Sequence, residues 1–204
     1  MSRGLRASSV LLFFRSRGLR ALGIAVAAML LVTGFVPAGL SVSPFAQVQS
    51  VYTLANSALV AGVLWSAFVA SPWPVLEASV SRRRLSGLRA TWMLFGATAL
   101  IAGGALVLAA RGTDVWHVLV LVRNALFAVG VGTLSGCLLP RAVAWLPLLA
   151  FGMASWILGT TDSSATARWW ALPNYPLESP VMAIATGAVV LAGAVVYVVR
   201  DGSP

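Results

Sequence analysis

Apolar runs of about twenty residues recur from one end of the chain to the other, separated by short clusters of Arg, Pro, Gly and Asp. About twenty residues at 1.5 Å each cross roughly 30 Å of hydrocarbon, so the pattern predicts membrane-crossing helices. The runs are apolar on all sides and show no period-two alternation, which separates them from barrel strands. Six spans follow: residues 21–36, 45–70, 90–110, 115–139, 142–158 and 180–199. Pro37, Gly39 and Pro44 mark the first break, and Pro72 and Pro74 end the second span because proline cannot continue a helix normally. Arg111 to Asp114 make a short tip, Pro140 and Arg141 close the fourth span, and 159–179 form a long segment before the sixth. The predicted fold is an all-α integral membrane protein with six transmembrane helices, N-in/C-in. It is a single domain over 21–204, preceded by an N-terminal interfacial segment at 1–20.

With 59% hydrophobic and 9% charged side chains, the chain lacks the polar surface to cover a soluble globule. The net charge of +9 comes from arginine alone, as there is no lysine. Arginines beside spans set orientation and meet anionic headgroups, so membrane lipid is the expected partner and nucleic acid is not. The stretch from Ser71 to Ala90, SPWPVLEASVSRRRLSGLRA, holds Arg82, Arg83, Arg84 and Arg89 and is placed inside as a cytoplasmic loop over 72–89. Arg3, Arg6, Arg15, Arg17, Arg20, Arg141 and Arg200 then also lie inside, with Arg111 and Arg168 outside and Arg123 within a span. That distribution satisfies the positive-inside rule. Trp73, Trp92, Trp116, Trp145, Trp169 and Trp170 fall near predicted boundaries, where indoles favour the headgroup level. Residues 1–20 flank a short apolar run, Val10 to Phe14, that suits an interfacial helix; a signal peptide is the alternative.

Several chemistries lack their residues. A phosphate-cradling P-loop needs a lysine. Zinc hydrolysis on an H-E-x-x-H helix needs two histidines, and the chain has His117 alone. A Ser or Cys nucleophile would have to use that same His117, with Asp114 as the nearby acid to orient it. The single Cys137 excludes an intrachain disulfide and a multi-Cys metal site. Glu77, Asp114, Asp162, Glu178 and Asp201 all fall in loops or the tail, which disfavours proton-coupled transport through buried carboxylates. No catalytic residue and no metal site is predicted.

What remains lies in three places. Arg123 and Asn124 stand in the fourth span, about 12 Å from its outer end. An arginine there is costly on a lipid-facing surface. It is either braced by backbone carbonyls, Glu178 or Asp114, or it lines a substrate cavity. Farther along, Ala128, Gly132 and Gly136 recur every four residues, a small-residue stripe for helix packing within the chain or between chains. The outer segment carries Trp169, Trp170, Leu172 and Tyr175 and reads either as an aromatic belt or as a segment dipping back into the membrane. On the inner side, Pro74 to Leu85 suit a short surface helix with Glu77 in its first turn and Arg82 to Arg84 near its end; a solvated loop is the alternative.

With these places in hand, the chain resembles the transmembrane (permease) subunit of ABC transporters of the ABC-2 type. The likeness is to the short six-span form common in actinobacteria, often linked to export of, or self-protection against, peptide antibiotics. The strings that carry it are LEASVSRRR in the inner loop, RNALFAVG in the fourth span, RAVAWLPLL opening the fifth and ARWWALPNYP before the sixth. The resemblance implies an interfacial helix at 1–20, a coupling helix at 74–85 and a partly re-entrant segment at 159–179. It implies a multi-pass subunit of a bacterial cytoplasmic membrane that is not itself an enzyme. It implies that no cofactor binds this chain and that ATP and Mg sit on a separate ABC ATPase subunit. That ATPase would dock at Pro74, Leu76, Glu77, Ser79, Arg82, Arg83 and Arg84. A second permease chain would complete the exporter, and a hydrophobic or peptide-like substrate would pass Arg123, Asn124, Trp169, Trp170 and Tyr175. A non-catalytic membrane scaffold or sensor/immunity subunit is the alternative reading, and an intramembrane enzyme a third.

Overall fold

The structure, a computed structural model, describes residues 22–24, 26, 27, 30, 31, 58–60, 62–66, 69, 81–112, 114–159, 167–174 and 177–199. Among them are four helices: α1 (Arg82–Ala110), α2 (Val115–Leu138), α3 (Leu146–Leu158) and α4 (Pro180–Val199), with a 3₁₀ turn at Leu172–Asn174. These correspond to the predicted third to sixth spans. The described residues of the first two predicted spans are helical as well, and no described residue belongs to an extended strand. The protein is all-helical, and α1, α2 and α4 are long and apolar enough to cross a membrane. The interfacial segment 1–20 lies outside the described residues.

The helices alternate in direction. Ser86 near the start of α1 donates to the Val198 carbonyl near the end of α4 at 2.9 Å, so those two run antiparallel. α1 and α2 form a hairpin. Gly112, at φ 65°, supplies the left-handed turn that ends α1, its N–H donating to the Ala109 carbonyl. Asp114 then caps α2 by accepting from the Trp116 N–H at 3.4 Å. The acid nearest His117 is therefore a helix cap. As a result Arg83, Arg84, Arg89 and Arg141 share one end of the bundle, while Arg111, Asp114, Arg168 and Glu178 share the other.

Two predicted boundaries shift. Hydropathy starts the third span at Ala90, yet α1 begins eight residues earlier, so residues 82–89 of the expected inner loop are helix. Leu85, Arg89 and Trp92 fall on one buried face there. Ser86 and the Arg89 guanidinium donate to the Val198 and Tyr197 carbonyls. The polar residues of this turn thus cap the last turn of α4, whose carbonyls have no intrahelical donors, and a cation at that end suits the helix dipole. Arg82 to Arg84 stand in the first turn of a long helix, with no acid in that turn, and not near the end of a short one.

The fifth span is expected from Ala142. Residues 141–145 are turns, and α3 holds only 13 residues, about 20 Å and shorter than a bilayer core. Pro140 ends the preceding helix. Trp145 Nε1 donates to the Ala142 carbonyl at 2.7 Å to close the turn, and Pro147 sits at the start of α3, where its missing N–H costs nothing.

α2 is the central helix. Its stripe of Ala128, Gly132 and Gly136 faces the helical residues of the predicted second span: a Cβ on Gly132 would lie 2.7 Å from the Gly62 carbonyl oxygen, and one on Gly136 2.9 Å from that of Ser66. The stripe is therefore occupied within the chain. The adjacent face uses Gly130, which packs on Val189 and Val190 of α4. Small residues let backbones approach where lipid offers no hydrophobic drive for helix association. Gly132→Leu is expected to lose this contact, by about 3 kcal/mol, read as a lower melting temperature in detergent.

Trp92, expected at the membrane boundary, is instead fully buried and stacks on Trp65 with ring centroids 5.8 Å apart. Trp65 Nε1 donates to Thr133 Oγ1 at 3.1 Å, and Thr133 in turn donates to the Val129 carbonyl at 2.6 Å. The polar edge of the Trp65 indole is thereby satisfied inside the bundle, which makes a buried platform for the second ring.

Candidate functional site

Arg123 and Asn124 lie two turns into α2, on the face that the bundle closes. Arg123 is 8% exposed and Asn124 is fully buried. The Arg123 Nε and Nη2 donate to Asn124 Oδ1 at 3.2 Å each. Arg123 Nη2 and Asn124 Nδ2 then converge on a single acceptor, the Pro173 carbonyl oxygen, at 3.4 and 3.1 Å. Of the two uses open to this arginine, bracing by a backbone carbonyl is realised.

Pro173 belongs to the outer segment, in which residues 167–174 fold back onto α2 and α3. Arg168 N–H donates to the Gly159 carbonyl at 2.9 Å, and the Asn174 N–H to that of Ala171 at 2.9 Å. The Asn174 side chain reaches the Ser155 carbonyl of α3 at 2.8 Å. Gly159 makes this approach feasible: a Cβ there would collide with the Ser155 carbonyl and the Asn174 amide and would lie 2.9 Å from Ala171 Cβ. Its φ of −78° shows that closeness, and not an unusual backbone, calls for glycine. Ala171, Pro173 and Asn174 are all buried. The described turn therefore sits at the depth of Arg123, about 12 Å along α2.

Leu148, Gly152, Ser155 and Gly159 follow at helical spacing and share one face of α3. Below the polar node, α3 and the predicted second span flank an open apolar groove of about 140 Å³ lined by Leu59, Val60, Val63, Leu148, Leu149, Gly152 and Met153. The groove and the node thus lie along one helix.

Of the residues singled out in the sequence, the structure brings Arg123 and Asn124 against the outer segment. Trp170 is half-buried there, whereas Trp169 is 82% exposed and points away from the bundle. Tyr175 lies outside the described residues, as do Pro74, Leu76, Glu77 and Ser79. Arg83 and Arg84 are exposed at the opposite end. Sequence reasoning missed Ser155, Gly159, Pro173 and Asn174. Asn174 stands within the ARWWALPNYP string, and Ser155 is a lone polar residue in an apolar run; both are signals that name no partner. It also missed the role of Arg89, whose guanidinium lies 5.8 Å from the Tyr197 ring centroid in a cation–π contact.

Among the described residues, no group of three His, Cys, Asp or Glu is placed to hold a metal ion. No protein-family model matches the chain, and neither does any curated protein or solved structure.

Proposed function

We propose that this chain is the permease subunit of an ATP-driven exporter of the ABC-2 type, working with a separate ATPase and a second permease chain. The observation that supports this reading most is the Leu172–Asn174 turn folded back between α2 and α3 at the depth of Arg123, the place where the resembled family has its partly re-entrant segment. The long α1 agrees with it: the helix carries its arginines at one end and ties that end to α4 through Ser86 and Arg89. A push on residues below α1 would be felt by α4 without a further joint. Substrate, hydrophobic or peptide-like, would leave past the outer segment.

The test is co-purification with an ATP-binding cassette protein encoded beside this chain. Replacing Glu77 and Arg82 to Arg84 together by alanine is expected to release that ATPase while the permease stays folded in the membrane. Full retention of the ATPase by this variant would overturn the coupling assignment.

A further inference from the structure

We propose that the groove between α3 and the predicted second span holds one acyl chain of an anionic phospholipid whose phosphate is met by Arg141. Leu59 and Leu148 are buried while Val60, Leu149 and Met153 are exposed, so the groove has a closed base and a mouth open to the side. Among the described residues, only apolar side chains and Gly152 line it. Its volume of about 140 Å³ is close to that of a cavity that accepts benzene, which is room for about six carbons of a chain. A helix, about 10 Å across with its side chains, is too wide to enter.

The charge stands at the matching end. α3 is shorter than the hydrocarbon core, and its two ends differ. The C-terminal end is closed by protein, since the Asn174 side chain donates to the Ser155 carbonyl and the Arg168 N–H to that of Gly159. The N-terminal end is entered through residues 141–143, all exposed. Exposed non-helical backbone is not tolerated against hydrocarbon, which puts this end at the headgroups. Arg141 is exposed and has no hydrogen-bond or ion-pair partner among the described residues. The described acids, Asp114 and Glu178, lie at the opposite end of the bundle, whereas Arg83 and Arg84 are exposed at this one. A phosphate supplies the missing negative charge and suits the guanidinium fork. The reach fits as well. Val143 N–H donates to the Pro140 carbonyl at 2.9 Å and Leu146 N–H to that of Val143 at 3.0 Å, two successive turns of under about 7 Å each. Arg141 therefore lies within about 14 Å of the start of α3. An acyl chain that fills one leaflet, about 15 Å, runs from there into the groove. This assignment concerns lipid binding by the chain alone and stands apart from the transport reading.

The experiment is native mass spectrometry of the full chain, stripped of lipid in detergent, with dioleoylphosphatidylglycerol or dioleoylphosphatidylcholine added at equal concentration. The parent is expected to retain one molecule of the anionic lipid about fivefold more than the choline lipid, the effect of one arginine beside an anionic surface. Arg141→Gln is expected to bring the two lipids to parity, and Arg168→Gln, at the opposite end, to keep the preference. Met153→Trp fills the mouth of the groove from an exposed position and is expected to lower retention of both lipids with the detergent melting temperature unchanged. Equal retention of the two lipids by the parent would overturn the proposal. So would a preference that survives Arg141→Gln or is lost equally in Arg168→Gln, or retention that Met153→Trp leaves intact. A dimer that excludes the lipid and disappears in Met153→Trp would give the groove to a second copy of the chain and overturn it too.

Discussion

Gly96→Val is expected to destabilise the folded chain by about 3 kcal/mol, with a matching fall in the detergent melting temperature. A Cβ on Gly96 would collide with the six-membered ring of Trp65. That ring cannot retreat, because Trp65 is fully buried, stacks on Trp92 on one side and is held by Thr133 through its Nε1. Trp92 in turn stacks on Phe95 at 6.2 Å, so the displacement propagates along α1. Gly87 on the same helix is the control, since no described atom lies within 4 Å of where its Cβ would stand. Gly87→Ala is expected to be neutral or stabilising by up to about 1 kcal/mol from helix propensity alone. Tryptophan fluorescence during thermal unfolding reads both. Equal melting temperatures for Gly96→Val and the parent would show that the stack is not a fixed part of the fold.

Asn124→Leu is expected to cost about 3 kcal/mol. The substitution conserves shape but removes an acceptor for two guanidinium donors and a donor to Pro173. The informative comparison is with Arg123→Met and with the double variant. A charge that has lost a partner in a buried site is costly, whereas removing both side chains takes the charge away and leaves only the Pro173 carbonyl without these two donors. The double variant is therefore expected to lose less than the sum of the two single losses, by about 1 kcal/mol or more. Strict additivity would mean that the two side chains act independently, against the geometry described.

The positions of α1, α2 and α4 are legible in the chain because a membrane helix announces itself locally: twenty apolar residues in a row have few alternatives in lipid. The end of α1 at Gly112 and the start of α2 after Asp114 are legible for a similar reason, each marked by a residue whose backbone or side chain closes a helix. The burial of Arg123 follows from the cost of leaving a guanidinium against lipid. Its acceptor does not, because Pro173 offers a main-chain carbonyl 50 positions away, and every residue carries one. Trp92 escapes a sequence reading because an indole next to a run of arginines looks interfacial, and only Trp65 on another helix makes a buried site for it. The start of α1 escapes it because residues 82–89 are polar by composition; as helix, they cap the last carbonyls of α4.

Hydropathy and helix termination act over a few residues and need no partner, so the order of the amino acids is enough to make this protein helical and suited to a membrane. How each polar side chain is satisfied was settled only on folding, because inside a bundle water cannot serve and the partner must come from a distant segment. Packing gave the Ala128, Gly132 and Gly136 stripe to the second span, set Arg89 on the end of α4, and laid the Leu172–Asn174 turn on Arg123 and Asn124.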